Sequence, residues 1–241
     1  MQQDAPAQPP PRETPFSRLP RWLLGVFAVC AASVVGGIVA LGHQPDFYRA
    51  AVAAADPATA ETLARRLVSK ASALHAAIGR VGPWDAVISD DEINAWLAVD
   101  LPRNHGRLLP AGIAAPRVEI APHHARVAAR VGRWPLAAVA SLDLEVRLRS
   151  ANQVGIAVDD ARLGILPLPR AAILRELGRR LTAAGLVTTL RRLDDRPLLL
   201  VAAPSAYDGR GGSRLETLAL ADGEVLVAGV TSSGGSGGDT R

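Results

Sequence analysis

The sequence predicts an α+β protein: an N-terminal transmembrane helix, then a curved antiparallel sheet packed against two or three helices. Three observations predict it. Residues 22–42 (WLLGVFAVCAASVVGGIVALG) carry no charged side chain. Three later stretches repeat apolar residues at spacings of three and four behind good capping residues. From Arg117 onward the apolar period changes to two, the signature of strands with one buried face.

As a helix the charge-free segment is about 30 Å long, the thickness of a bilayer's hydrocarbon core. Backbone polar groups in lipid must be bonded within the segment, so a single span has to be helical. Arg12, Arg18 and Arg21 precede the span, whereas Arg49 is the only cation in the stretch that follows it. That excess predicts a cytoplasmic N-terminus and a domain outside the cell membrane. Trp22 at one end and Phe47 with Tyr48 beyond the other read as interfacial anchors. The alternative is a cleaved signal peptide ending at Ala40-Leu41-Gly42, but apolar cores of signal peptides are usually shorter than this run. Cys30 could mark a lipoprotein; Phe27 and Val29 are poor residues ahead of a lipidated cysteine, so it reads as a small apolar residue of the span. The expected organisation is a disordered cytoplasmic tail over 1–21, a transmembrane helix over 22–42, an extracytoplasmic domain over 45–230 and a flexible tail over 231–241.

Within the domain, Asp56-Pro57 opens a helix: Asp caps free N–H groups, and Pro at the first helical position gives up no bond. Ala60, Leu63, Leu67, Ala71, Leu74 and Ile78 form its apolar seam, and Gly79, Gly82 and Pro83 stop it. The seam reads as core, with a juxtamembrane coiled-coil dimer as the alternative. Ser89-Asp90-Asp91-Glu92 is a capping box that starts a second helix, with Ile93, Trp96, Leu97 and Leu101 on its buried face and Pro102 as its end. The same box accounts for the three adjacent acids without catalysis. A third helix follows Pro167-Leu168-Pro169, carries Ile173, Leu174, Leu177, Leu181 and Ala184, and closes at Gly185.

The strands begin with Val118 and Ile120, then Val127, Ala129 and Val131, with Pro122-His123-His124 as an exposed turn. Leu142, Leu144, Val146 and Leu148 alternate with Asp143, Glu145, Arg147 and Arg149. After a turn at Ser150-Ala151-Asn152 come Val154, Ile156 and Val158; Ala161, Leu163 and Ile165 then continue in the opposite phase, which predicts a β-bulge at Asp159-Asp160. Two short runs, 186–190 and 198–201, flank a turn at Asp194-Asp195. Past a Gly-rich loop over 208–212, Asp222-Gly223 between apolar runs (215–220 and 225–230) is a strong hairpin signal. The total is five to seven strands in one sheet, with the helices on one face.

Composition excludes more than it assigns. Cys30 is the only cysteine, so the domain holds neither a disulfide framework nor a thiolate metal site. The net charge is +4 and Lys70 is the only lysine, but the arginines alternate with acids, which describes a solvated mixed-charge face rather than a nucleic-acid footprint. No nucleophile elbow, phosphate-cradling loop, His-Glu-x-x-His or paired Cys-x-x-Cys is present. His43, His75 and His105 lie in separate elements, and the adjacent His123 and His124 make no metal site by themselves. No catalytic residue, metal or cofactor is expected, and the chain does not read as an enzyme.

The segment Trp84-Asp85-x-x-Ile88-Ser89-Asp90-Asp91-Glu92-Ile93-Asn94-Ala95-Trp96-Leu97 resembles the "threshold helix" segment of YpmS-like proteins, which are small single-span extracytoplasmic bacterial proteins with no assigned activity. Arg162-Leu163-Gly164-x-Leu166-Pro167-Leu168-Pro169 ahead of a helix is similar to the same group. The order of elements is more distantly similar to YceB-like lipoproteins and tubular lipid-binding domains. The resemblance implies a sheet curled around a helix, with a groove for an acyl chain, and transfers no catalytic residues.

The function expected from these readings is a non-enzymatic, membrane-anchored module that binds a lipid or other envelope ligand. The groove would lie on the apolar sheet face of Leu142, Leu144, Val146, Val154, Ile156 and Val158. The same face read as ordinary core is the alternative. A second function is structural: oligomerisation through the anchor, where Ser33 and Gly36-Gly37 allow close helix contact, and through the 60–78 seam.

Overall fold

The computed structural model describes residues 41–54, 56–132, 137–193, 196–203 and 211–233. Residues Ala40–Arg241 make one compact unit. The expected membrane span, apart from Leu41 and Gly42, lies outside the described residues, as do the tail over 1–21, the turn at Asp194-Asp195 and residues 204–210 of the Gly-rich region. Among the described residues no helix is long and apolar enough to cross a membrane.

The chain runs α1 (Asp46–Ala53), α2 (Pro57–Ile78), β1 (Gly82–Ser89), α3 (Asp90–Asn104), a 3-10 turn, β2 (Ile113–Ala121), β3 (His124–Val131), β4 (Ala138–Ser150), β5 (Gln153–Leu163), β6 (Leu166–Pro167), α4 (Arg170–Ala183), β7 (Val187–Leu193), β8 (Arg196–Ala202), β9 (Gly211–Ala221) and β10 (Glu224–Ser233). The fold is α+β and antiparallel, as expected, but the strands form two sheets. One has seven strands, β2-β3-β4-β5-β8-β7 with β6 beside β5; the other has three, β1-β10-β9.

Local signals act where they were read. The Asp56 side chain accepts from Thr59 N at 3.0 Å at the start of α2. Both halves of the Ser89–Glu92 capping box are formed at the start of α3. Across β4 and β5, Asp143 faces Asp160 while Leu144 faces Val158, so Asp159 is the extra residue of a bulge. The bulge keeps Ala161 opposite Leu142 on the buried face although the sequence parity has slipped. Gly223, at φ +79°, makes the turn between β9 and β10.

Four further expectations are corrected, and one strand falls where none was expected. Pro102 does not end α3, which continues to Asn104. Proline removes only its own donor, and His105 N still reaches Leu101 O at 2.9 Å to close the last turn. The segment after Gly82 is a strand, β1, whose Pro83 is tolerated because β1 is an edge. The chain end is ordered into β10 as far as Ser233, since Gly82 pairs with Thr231 and Gly211 with Ser233. His124 belongs to β3, leaving Pro122 and His123 as the turn. Finally, Tyr48 is not a free interfacial anchor. It lies on α1, is 4% exposed, and packs with Phe47 against Ala128 and Val139 of the seven-stranded sheet.

Register explains the core. Val118 and Ile120 face Val127 and Ala125, which in turn face Leu142 and Leu144. Leu144 and Val146 face Val158 and Ile156, and Ile156 faces Leu199. One apolar face therefore runs across five strands. Its β5–β8 half is covered by α4, where Leu174 is fully buried. Its β2–β3 half is covered by Ile93 and Leu97 of α3 and by Leu218 and Leu220 of β9. Burying a leucine of this kind stabilises by roughly 2–3 kcal/mol. Because α1 packs on the opposite face, through Ala128 and Val139, the helices lie on both faces rather than one.

Candidate functional site

The seven-stranded sheet has two ends, and its β2 end is closed by side chains of α3. Asn94 makes a two-point contact with Val118: its Nδ2 donates to the carbonyl at 2.7 Å and its Oδ1 accepts from the N–H at 2.8 Å. One turn earlier, Asp90 Oδ2 accepts from Ile120 N at 3.3 Å. Residues 118 and 120 alternate on β2, so these two side chains supply partners that another strand would otherwise offer. Asn94→Ala leaves both polar groups of Val118 unpaired and is expected to cost about 2 kcal/mol in urea unfolding. Asn104→Ala, which removes only an exposed contact to Asp100, is expected to cost under ~0.5 kcal/mol.

With α3 laid along this edge, α2 packs on α3 through Ala60, Ala64 and Ala95. This contact takes up the start of the α2 seam within the same chain. Tyr48 fixes α1 on the outer face of the sheet, its hydroxyl donating to Ala115 O at 3.1 Å. Between α1, the first turns of α2, α3 and β2 remains a cleft of about 270 Å³. Six alanines line it (Ala50, Ala51, Ala54, Ala60, Ala95 and Ala98), with Phe47 and Leu63. Their side chains are too short to fill the space that three helices leave.

Arg117 is the one lysine or arginine among the residues that line this cleft. It is 7% exposed, and its guanidinium donates to two backbone carbonyls, Pro116 O at 2.7 Å and Ala51 O at 3.4 Å. Among the described residues no carboxylate forms an ion pair with it. Burial pushes its pKa below the ordinary arginine value. A buried charge without a counter-charge is costly, by roughly several kcal/mol even after relaxation, so an anion brought beside it is favoured.

Four carboxylates also line the cleft, and three are already engaged. Asp56 is held below its ordinary value by the Thr59 hydroxyl and N–H. Asp90 is raised, chiefly by burial, and serves the β2 edge. Glu119 pairs with Arg126 at 2.8 Å. Asp91 stands exposed at the helix start. Glu92 faces away from the cleft to Lys70, at 2.8 Å. The Asp90–Glu92 triplet is thus divided between a strand edge, the rim and a buried ion pair.

The six residues expected to form a groove do share the inner sheet face, and protein covers it. Leu142, Leu144 and Ile156 pack against the cluster that contains Val158 and Leu174. Val146 packs against Val118, Ile120 and Leu220, and Val154 is half-buried opposite Val201. None of the six lines the cleft. The sequence hides the cleft: Phe47 and Tyr48 of α1 read as a membrane interface, and Arg117 reads only as the start of a strand. The signal that could have found it is Ala50, Ala51 and Ala54 at helical spacing, next to two further alanine-bearing helices.

The histidine pair divides as well. His123 sits in the turn at φ +66°, whereas His124 Nδ1 lies 2.9 Å from Asp143 Oδ1 and 3.6 Å from Asp159 of the bulge. Among the described residues no group of three or more His, Cys, Asp or Glu is arranged to hold a metal ion. No protein-family model matches the chain, and no curated protein or solved structure is significantly similar to it.

Proposed function

We propose that this chain is a single-pass protein of the cell membrane whose extracytoplasmic domain binds an anionic amphiphile, a lipid or similar envelope ligand, without catalysing its conversion. The observation that carries the reading is the cleft that combines alanine walls with a buried Arg117 that forms no ion pair among the described residues. A phosphate or carboxylate beside Arg117 supplies the missing counter-charge, and guanidinium geometry suits bidentate contact with either. The apolar walls accept the first carbons of a chain. At about 270 Å³ the space is below the usual range for a whole drug-sized ligand, so it suits a head group and its proximal methylenes, with the rest of the chain outside.

Position along the sequence supports the same reading. Phe47, in the cleft wall, follows the charge-free segment by only five residues. Four or five residues reach at most about 18 Å. If residues 22–42 span the bilayer, this short tether limits how far Phe47 can be from the end of the span. Non-enzymatic binding is favoured because three of the four carboxylates at the cleft are committed to strand edge, helix cap and ion pair, and the fourth, Asp91, stands exposed at the rim.

The test is native mass spectrometry of the full-length chain extracted in mild detergent, followed by lipid analysis. The wild-type protein is expected to retain an anionic lipid-sized adduct, and Arg117→Gln is expected to lose it at least tenfold. Arg196→Gln, at an exposed position outside the cleft, is expected to keep it. No adduct, or an equal adduct on wild type and Arg117→Gln, rejects the site. Placement is tested separately: external protease on spheroplasts is expected to digest the domain, and alkaline washing is expected to leave the intact chain in the membrane.

A further inference from the structure

The other end of the seven-stranded sheet is treated quite differently from the β2 end. β7 is paired on one side by β8 and, among the described residues, by nothing on the other. Six of its seven residues are exposed, including Val187 at 70%, Leu190 at 47% and Leu193 at 47%. Where β2 is closed by Asn94 and Asp90, β7 has no proline and no bulge, and among the described residues its one side-chain bond to another element, Thr188 to Thr182 and Gly178 O of α4, comes from the helix that covers the inner sheet face. A long open edge with apolar side chains is a template for pairing with another strand.

The sequence of β7, Val187-Thr188-Thr189-Leu190-Arg191-Arg192-Leu193, says which strand fits. Two copies related by a two-fold axis perpendicular to the sheet pair antiparallel, and residues directly opposite then belong to the same face. With the axis at Leu190 all seven residues are paired. Leu190 meets Leu190, Val187 meets Leu193, Thr188 meets Arg192 and Thr189 meets Arg191. Apolar faces apolar, and neither arginine faces another. Moving the axis to Arg191 puts Arg191 opposite itself, and moving it to Thr189 leaves Arg192 and Leu193 unpaired. In the chosen register Leu190, opposite buried Leu199 within its own chain, extends the inner apolar face across the junction.

We propose that β7 pairs antiparallel with β7 of a second copy of this chain, centred on Leu190, so that two seven-stranded sheets become one continuous sheet. This does not depend on the ligand or on the membrane span.

The test is disulfide trapping of the full chain in intact cells, in a Cys30→Ala background that removes its only cysteine. Directly opposed residues have Cα atoms about 4.5–5.5 Å apart, within disulfide range, whereas a two-residue offset gives roughly 8 Å, outside it. Leu190→Cys is expected to give a disulfide-linked dimer on oxidation. Thr189→Cys and Arg191→Cys are expected to stay monomeric when expressed singly and to give a mixed dimer when co-expressed. That mixed pair also covers the case in which Leu190→Cys disturbs the strand. Absence of both the Leu190→Cys dimer and the mixed dimer overturns the proposal. So does equal cross-linking at 189, 190 and 191, which is the result for collisions driven by contact elsewhere.

Discussion

Gly229→Ala is expected to lose about 4 kcal/mol or more of stability, at the upper end for a single substitution. Gly229 is buried in β10, where the register with β9 shifts between Ala228 and Gly229. A Cβ there would stand 2.1 Å from the Arg214 carbonyl and 2.4 Å from the Trp84 ring. The ring belongs to a side chain and can move at a cost. The carbonyl belongs to β9 and cannot move without breaking the ladder that holds β1, β10 and β9 together. The expected readout is a melting temperature lowered by roughly 8–16 °C, or insoluble protein. Trp84→Leu in the same chain is not expected to rescue it, because the carbonyl clash remains. Rescue would show that the ring alone sets the limit.

Lys70→Met is expected to cost about 3 kcal/mol. The only lysine of the chain reaches from α2 to Glu92 Oε2 at 2.8 Å and to Val87 O at 2.9 Å, joining α2 to α3 and β1. Glu92 is 2% exposed and Lys70 37% exposed, so the two partners are unequal. Removing the lysine strands a buried carboxylate that keeps only the Ser89 N–H at 3.2 Å. Removing the charge of Glu92 leaves a lysine that can turn to water, so Glu92→Gln, which keeps an acceptor for the cap, is expected to cost only ~1 kcal/mol. The double variant is expected to be more stable than Lys70→Met alone, since the stranded charge is gone. Additive losses in the denaturant cycle would mean that the pair contributes no coupling.

What the sequence made legible was local. Asp56 and Ser89 act on residues three positions away, Asp222-Gly223 joins adjacent strands, and the bulge at Asp159 shows as a parity slip within one strand. What stayed hidden was contact between distant segments. β1 begins with Gly-Pro and pairs with the far end of the chain, Gly82 with Thr231, so nothing near it announces a strand or a second sheet. Tyr48 and Phe47 follow an apolar segment, and only the fold shows them packed on Ala128 and Val139. Alternation in β4 and β5 identified a buried face correctly. It carries no information on what covers that face, which is α4, α3 and β9. The cleft is hardest of all, since it is defined by small side chains on three helices and by one arginine among many.

Both edges of the large sheet bear on how the domain works. β2 is sealed from within by Asn94 and Asp90, and that seal positions α3 as one wall of the cleft. The opposite edge is left to a second copy. The central claim is that the cleft beside Arg117 is occupied by an anionic membrane amphiphile. The most direct measurement places a photoreactive diazirine side chain at Ala98, in the cleft wall, irradiates intact cells and identifies the adduct by mass spectrometry. The account predicts an anionic lipid-class adduct at position 98 that disappears in the Arg117→Gln background. Labelling by water alone, or a lipid adduct that persists without Arg117, contradicts it.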